Sequence, residues 1–175
     1  MTNPTHITAQ PGVPFVDLVR EFDAPPAAVF RAHTDPDLFP RWMLPRAIHL
    51  QKMQMDARSG GRWSYACEGE GNTQLSGFGV FHSVEPNKQF IHTSEFSFAP
   101  GHPTLSITRF EDLGGGRCRM SMREIYDTVE SRDAAASGID GGMEETYERL
   151  DQLLAASTTY RRRDGGVSAP FRRAG

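Results

Sequence analysis

The sequence predicts an α+β domain in which one long C-terminal helix lies across a curved antiparallel sheet. Between residues 48 and 125, short segments of strand-like pattern follow one another, and hairpin turns separate them. One amphipathic helical segment comes after them. The chain of 175 residues has 17 aromatic side chains and a formal net charge of −3, which fits a folded core and does not fit a disordered chain. This length favours a single domain.

The N-terminal part is predicted to form one strand and two short helices. Val13–Phe22 is apolar with partial alternation and is the first predicted strand. Asp23 can cap a helix whose first turn accommodates two prolines, and this helix continues through Ala27–Ala32. A second short helix is predicted over Asp37–Met43. It ends before Pro45, because a proline cannot continue the helix.

Six strands are predicted after these helices, and their hairpin connections give an antiparallel meander. They are Ile48–Met55, Arg62–Cys67, Thr73–Val84, Gln89–Phe98, Leu105–Phe110 and Arg117–Ile125. The hairpin loop Glu85–Lys88 sets the register of its two strands, so that Phe81 pairs with His92. Gly77 and Gly79 invite a β-bulge that would shift this register, so the sequence leaves open which of Phe78 and Phe81 faces the core.

The last predicted element is an amphipathic helix over Met143–Ala156. A polar, Ala-rich segment from Ser131 precedes it, with a break near Gly138–Gly142. Its apolar side chains recur at helical spacing, and they are Met143, Tyr147, Leu150, Leu153 and Leu154. An apolar stripe of this width needs a partner, and the sheet is the large apolar surface that this sequence provides.

Five segments resemble the START-like (SRPBCC) superfamily, most closely the branch named for the activator of the heat-shock protein 90 ATPase in its small bacterial form. They are Glu21–Trp42, Asp56–Trp63, Gly79–Pro86, Phe90–Thr93 and Gly142–Leu154. The resemblance extends over roughly residues 14–157, and the segments follow the family's order and spacing. The resemblance implies a helix-grip (START-like, Bet v-like) fold that encloses a mostly apolar cavity between sheet and helix. It implies no reaction, because members include ligand carriers, cyclases and co-chaperone modules.

Three departures from the family pattern fall at expected pocket positions. The family's tandem tryptophan is Trp42-Met43 in this chain, and the Gly-Pro that follows it is Leu44-Pro45. The aromatic residue often found on the fifth strand is His92. The family's ligand preference is therefore not carried over to this chain.

Side chains of consistent phase on the strands and the last helix are predicted to line the cavity. They are Trp42, Trp63, Tyr65, Phe81, Phe90, His92, Ser94, Phe96, Met120, Met122, Met143 and Tyr147. Polar groups in phase with apolar ones, among them Gln74 and Glu124, are typical of pockets that orient a ligand. The alternative is that the same side chains pack a solid core. No catalytic residue is assigned; His92 is the weak candidate for an acid or base, against the alternative of a hydrogen-bonded core histidine.

Other chemistries are not indicated by the sequence. No histidine pair has helical ligand spacing, and His82 and His92 fall on opposite faces of the sheet, so no metal site is expected. Gly60-Gly61 and Gly114–Gly116 lack the Lys and Ser/Thr of a phosphate-binding loop, so no nucleotide cofactor is predicted, and no other cofactor is expected. The sequence also contains no motif for a catalytic nucleophile. Cys67 and Cys118 are expected to be inert buried thiols. Asp56 and Arg58 are expected to form a structural ion pair.

The predicted organisation is an N-terminal extension (1–12), the START-like domain (13–157) and a flexible basic tail (158–175). Residues 161–175 carry a charge of +4, which is typical of a contact with nucleic acid or an anionic surface, or of a solvated terminus. The other 160 residues carry −7, and this acidic body argues against nucleic acid as the main partner. The longest apolar runs have four residues and no secretory signal is visible, so the sequence predicts a cytoplasmic chain with no membrane partner. A homodimer is a further possibility that the sequence leaves open.

The predicted function is binding of a small, largely apolar or amphipathic molecule in the cavity between the sheet and the C-terminal helix. One alternative is a cavity enzyme of the cyclase, dehydratase or isomerase type that uses His92 as acid or base. A second alternative is a chaperone-interaction module of the co-chaperone kind. Of the three, ligand binding is favoured over catalysis, because no nucleophile or metal pattern accompanies His92.

Overall fold

The structure is a computed structural model that describes residues 3–44 and 48–164, and the side chains of these residues except 70, 138–142 and 158–164. Eight strands and three α-helices lie within this part of the chain. In chain order they are β1 (His6–Thr8), β2 (Phe15–Phe22), α1 (Pro26–Thr34), α2 (Phe39–Met43), β3 (His49–Met55), β4 (Arg62–Glu68), β5 (Gln74–Glu85), β6 (Gln89–Phe96), β7 (Thr104–Gly114), β8 (Arg117–Ile125) and α3 (Val129–Asp164). The predicted α+β class and helix-grip arrangement are confirmed.

The eight strands form one antiparallel sheet in the order β1-β2-β8-β7-β6-β5-β4-β3. The predicted meander is confirmed, since β3 to β8 are neighbours in sequence order. The predicted first strand, β2, pairs with the last strand, β8, along its whole length. The sequence analysis did not predict β1, a strand of three residues that pairs with the middle of β2.

The predicted pairing of Phe81 with His92 is confirmed. The bulge in this hairpin lies between Phe81 and Ser83, not at the two glycines of β5. Phe81 therefore faces the core at 2% exposure, whereas Phe78 points outward at 55%. The glycines serve a different purpose: a Cβ on Gly77 would come within 2.8 Å of the rings of both Tyr65 and Phe96.

The C-terminal helix is longer than predicted. It begins at Val129 and its backbone continues without interruption through residues 138–142, so the predicted break and the predicted start at Met143 are wrong. A glycine costs a helix about 1 kcal/mol relative to alanine, and it does not exclude helical structure. Thr128 begins the helix, since its Oγ1 accepts a hydrogen bond from the backbone N–H of Ser131 at 3.0 Å.

The predicted stripe of α3 lies against the core. Tyr147, Leu150 and Leu154 are buried, and Met143 and Leu153 pack at the edge of the same cluster. The helix is also held by charge, because the fully buried guanidinium of Arg20 in β2 bonds two carboxylates of α3. Its Nη2 lies 2.7 Å from Asp151 and its Nη1 3.3 Å from Glu144. These contacts fix α3 over the concave face of the sheet.

Candidate functional site

The predicted cavity residues converge on the concave face of the sheet. Ten of the twelve belong to one apolar cluster: Trp42, Trp63, Tyr65, Phe81, Phe90, Phe96, Met120, Met122, Met143 and Tyr147. His92 and Ser94 lie on β6 between Phe90 and Phe96, so the alternation of the strand gives all four the same face. The positions of these side chains agree with a pocket and with a solid core alike, so the cavity itself stays a prediction.

One end of the concave face is solid. Trp42 is 1% exposed, stacks on Tyr147 with ring centroids 5.9 Å apart, and donates a hydrogen bond from Nε1 to the backbone carbonyl of Ala32 at 2.9 Å. The ring of His33 lies 4.7 Å from Trp42, and its Nδ1 lies 2.8 Å from the backbone carbonyl oxygen of Val29. Every polar atom named here has a partner. This end supports the fold.

The other end is built around His92. Its ring centroid lies 5.4 Å from Phe90, 5.7 Å from Phe81 and 6.1 Å from Trp63. Trp63 in turn stacks on Tyr65 at 6.2 Å and faces Phe96 at 6.4 Å. The imidazole thus stands among aromatic rings from three strands, which exclude water from one side of it.

The Nδ1 atom of His92 is buried and has no hydrogen-bond partner in the part of the chain that the structure describes. Burial is the main cause that lowers the pKa of this histidine to about 4, with smaller contributions in the same direction from His33 and His82. The ring is therefore neutral at pH 7. A buried ring nitrogen without a partner costs about 1–3 kcal/mol, which a hydrogen-bonding ligand would relieve.

A row of hydroxyl groups continues from His92 across the concave face. Register places His92 opposite Ser106 in β7, and Ser106 opposite Glu124 in β8. With neighbouring strands about 4.8 Å apart, the backbones at His92 and Glu124 are roughly 10 Å apart. On either side of Ser106 in β7, Thr104 and Thr108 are also buried.

The sequence analysis did not single out these three hydroxyl residues of β7. The signal was present as an alternation, because Thr104, Ser106 and Thr108 share one face and Leu105 and Ile107 share the other. A standard interpretation puts the aliphatic face inside. In this strand the hydroxyl face is buried and the aliphatic face is half-exposed, which is the reverse of the usual pattern.

Glu124 closes the row at its far end. Thr104 donates a hydrogen bond from Oγ1 to Oε1 of Glu124 at 3.2 Å, and the side chain of Tyr126 bonds the same carboxyl group. Burial raises the pKa of Glu124 above its usual value, against the effect of these two hydrogen bonds. Burial also raises the pKa of Tyr65 to about 12, so its phenol stays protonated. The row offers proton donors and acceptors in a partly apolar setting.

Two other predicted groups are structural. Arg58 Nε lies 2.8 Å from Asp56 Oδ2 in an exposed ion pair, as predicted. Cys67 and Cys118 are buried and carry free thiols. Burial raises the pKa of both, that of Cys118 to about 11, so neither is a thiolate at pH 7.

Two hollows of about 440 and 450 Å³ lie at other places in the fold than the predicted cavity residues. The first lies between α2, the start of β3 and the C-terminal half of α3, and the second lies beside β7 and β8. None of the twelve residues predicted for the cavity lines either of them. In the described residues, no helix is long and apolar enough to cross a membrane.

Residues 23–155 match the model of a protein family described as "Activator of Hsp90 ATPase homolog 1-like protein". The chain belongs to this family. The resemblance found in the sequence is therefore confirmed. Membership makes the chain a domain of ligand-binding or co-chaperone type, and the family name alone specifies neither a ligand nor a reaction.

Solved structures of the same fold come from several bacteria. A protein from Rhodobacter sphaeroides is 27% identical with a TM-score of 0.79, and the match covers 87% of this chain and 99% of that one. A protein from Mycobacterium smegmatis is 19% identical with a TM-score of 0.74, and the match covers 86% and 97% of the two chains. One from Arthrobacter aurescens is 23% identical with a TM-score of 0.73, covering 86% and 91%. No curated protein matches the chain.

Proposed function

We propose that the chain binds a small, largely apolar molecule between the concave face of the sheet and α3, and that a polar group of this molecule bonds His92. The observation that carries the proposal is the buried Nδ1 of His92, which has no hydrogen-bond partner in the described part of the chain. Unpartnered nitrogens of this kind are rare inside proteins, where buried polar atoms nearly always find a partner. A ligand hydroxyl or carbonyl would be that partner.

The surroundings of His92 favour an apolar ligand. Trp63, Tyr65 and Phe96 form an aromatic wall, and Met122 adds an unbranched side chain that can adapt to different shapes. Neither Tyr65 nor Phe96 is fully buried, so both rings keep surface that a ligand can cover. An apolar body with one polar group fits this combination.

The row of hydroxyl groups favours a second polar anchor. Ser106 lies between His92 and Glu124 in the sheet, so a ligand lying across β6, β7 and β8 would pass over all three. We therefore expect the ligand to have polar groups toward both ends of a length of roughly 10 Å, set by the spacing of neighbouring strands.

Native mass spectrometry of protein purified from its own host tests the proposal directly. A co-purifying molecule that is lost from a His92→Phe variant supports it, since phenylalanine keeps the ring and removes the nitrogen. The control is His33→Phe, because desolvation lowers the pKa of His33 as it lowers that of His92, and His33 has its partner in Val29. Loss of the molecule from both variants alike would count against a contact with His92.

Fluorescence gives a second test with a neutral probe, N-phenyl-1-naphthylamine. In a Trp42→Phe variant the emission comes from Trp63, whose ring lies 6.1 Å from His92. Probe bound on the concave face should quench Trp63 by energy transfer. If the probe binds and Trp63 emission is unchanged, the binding site lies elsewhere.

The enzymatic alternative is favoured by one observation, the placement of two proton-transfer groups on either side of Ser106. A neutral imidazole can act as a base, and a carboxyl group with a raised pKa can act as an acid. A His92→Gln variant separates binding from catalysis once a bound molecule is identified. Unchanged turnover of that molecule by the variant would remove the enzymatic role of His92.

The co-chaperone alternative is favoured by the family description alone. A pulldown with the Hsp90 chaperone of the host tests it, and recovery of no chaperone would end it. The cytoplasmic location, the homodimer, the absence of a nucleic-acid partner and the division at residues 12 and 157 stay predictions from the sequence.

A further inference from the structure

A second candidate site lies at the β3 edge of the concave face, away from His92, in the groove formed by α2, the start of β3 and the C-terminal half of α3. Its volume is about 440 Å³, which is within the range of small-molecule pockets. The described residues that line it are Pro40, Arg41, Leu44, Ile48, Leu50, Arg149, Gln152, Leu153 and Ala156. Six of these are apolar, and both charged ones are arginines.

The arginine from α3 has incomplete pairing. The side chain of Arg149 is 10% exposed, and its Nε and Nη1 atoms are buried without a hydrogen-bond partner in the described residues. Nη2 donates to Oγ1 of Thr146 at 3.2 Å. The carboxylate of Glu145 approaches Nη1 to only 3.9 Å and is itself 69% exposed. A cation in this position is under-compensated, because burying a charge without a close partner is costly.

Two other buried arginines of the fold show the contrast. Arg20 has a carboxylate of Asp151 at 2.7 Å, and Arg132 has the carboxylate of Asp133 at 3.0 Å. Each of them also has one nitrogen without a partner, but each holds a carboxylate at hydrogen-bonding distance. Arg149 holds none at that distance, and it is the one of the three that lines a groove.

We propose that this groove binds a small amphipathic carboxylic acid, with its carboxylate at Arg149 and Arg41 and its apolar tail along Leu44, Leu50 and Leu153. The acid would supply the close anion that Glu145 does not, through charge-assisted hydrogen bonds of the guanidinium. Arg41 forms no ion pair with any residue in the described part of the chain, so its charge is available to the same anion. Leu50, at 40% exposure, would be covered by the tail.

The inference goes beyond the proposed function, because it concerns a different set of residues, none of them predicted to line the cavity, and a charged ligand. Charge decides between the possible occupants of the groove: among the described lining residues there are two arginines and no carboxylate, which favours an anion over a neutral lipid or an amine. A monocarboxylate needs only one strong partner and matches the planar guanidinium. The apolar lining requires a hydrocarbon part as well, which inorganic phosphate lacks.

Octanoate titrated into the full chain and followed by calorimetry and by amide NMR shifts tests the inference. We expect shifts in α2 and in the second half of α3, and binding at least 10-fold weaker in Arg149→Met, because this variant loses the charge-assisted hydrogen bonds of the guanidinium. Arg149→Lys should retain part of the affinity. Octanol, the neutral analogue, should bind at least 10-fold more weakly than octanoate, and equal affinity of the two would overturn the inference.

Two controls separate this result from the proposed function. Arg149→Met should unfold at the same temperature or a higher one, because the variant removes an under-paired buried charge; a folded variant with unchanged octanoate affinity overturns the inference. His92→Phe should leave octanoate binding unchanged. If His92→Phe weakens octanoate binding and Arg149→Met does not, the acid binds beside His92, and the inference fails while the proposed function stands.

Discussion

Two largely desolvated histidines lie in similar aromatic surroundings, and their hydrogen bonding differs. His33 in α1 is surrounded by Trp42, Phe90 and Phe110, and His92 in β6 by Phe81, Phe90 and Trp63. Burial lowers the pKa of each to about 4. The Nδ1 of His33 meets a backbone carbonyl of its own helix, and the Nδ1 of His92 has no partner among the described residues.

This difference separates the supporting end of the concave face from its candidate binding end. A pKa shift alone does not distinguish them, because desolvation is the main cause at both histidines. The hydrogen-bond partner does. A histidine satisfied by its own helix is a packing residue, and a neutral histidine with an open nitrogen beside partly exposed aromatic rings is a group that a ligand can use.

The largest effect is expected from truncating the supporting end. Trp42→Ala should lower the free energy of unfolding by about 3–5 kcal/mol, because it removes a fully buried indole together with its hydrogen bond to Ala32. Trp63→Ala should lower the free energy of unfolding by a smaller amount, since the neighbours of Trp63 include half-exposed rings. Urea unfolding at pH 7 measures both. A greater loss at Trp63 would reverse the assignment of the two ends.

The next effect is pH-dependent. Both histidines have a folded pKa near 4 and an unfolded pKa near 6.5, so above pH 6.5 both states are neutral and neither contributes. As the pH falls from 6.5 to 4, the unfolded chain takes up protons that the folded chain refuses, and stability falls by about 3 kcal/mol for each histidine. The loss levels off below pH 4.

Variants assign this loss to its sources. His33→Phe and His92→Phe should each flatten the dependence of the unfolding free energy on pH between 6.5 and 4.5, and the double variant should flatten it most. Comparison with the parent chain cancels the contributions of carboxylates such as Glu124. The exposed ion pairs of Asp17 and Glu21 lower the pKa values of these two carboxyl groups. Their contribution to the pH dependence of stability therefore occurs below pH 4.5, outside the range in which the histidines act. A pH profile that neither variant changes would contradict burial of neutral imidazoles.

A smaller effect sharpens the comparison at constant pH. At pH 7.5, His92→Phe should raise the free energy of unfolding by about 1 kcal/mol, because it removes a buried nitrogen without a partner. His33→Phe should give no gain or a loss of about 1 kcal/mol, because it removes a satisfied one. Equal effects of the two substitutions would mean that the missing hydrogen bond has no energetic consequence.

The fold could be predicted from the sequence because its signals are local or in register. The hairpin at Glu85–Lys88 predicted the pairing of Phe81 with His92, and this pairing holds although a bulge at Ser83 shifts the register beside the turn. The strand β1 was missed, because three residues carry too little pattern and its pairing with β2 is a tertiary contact. The start of α3 was missed because glycines were taken to break the helix and the cap at Thr128 was not recognised.

The candidate site was less predictable, for a physical reason. The aromatic residues could be assigned to the concave face from strand phase, but whether a polar atom has a partner depends on three-dimensional contacts. The hydroxyl face of β7 also reverses the usual burial pattern, so a hydrophobicity argument assigns Thr104 and Ser106 to the wrong side. Such a reversal is a useful sign of function, because hydroxyl groups gain little from a core position without a partner.

The smallest expected effect concerns the far end of the hydroxyl row. Thr104→Val removes the donor to Glu124 and keeps the shape of the side chain, so the pKa of Glu124 should rise further above its usual value. Thr108→Val is the matched control, because Thr108 lies on the same face of β7 opposite Met122. Carboxyl NMR measures the titration, and the stability cost should be within about 1–2 kcal/mol for either variant. If both variants shift the pKa of Glu124 equally, this pKa depends on the general polarity of the row of hydroxyl groups. No single hydroxyl group then sets the pKa of the carboxyl group that lies opposite His92 across Ser106.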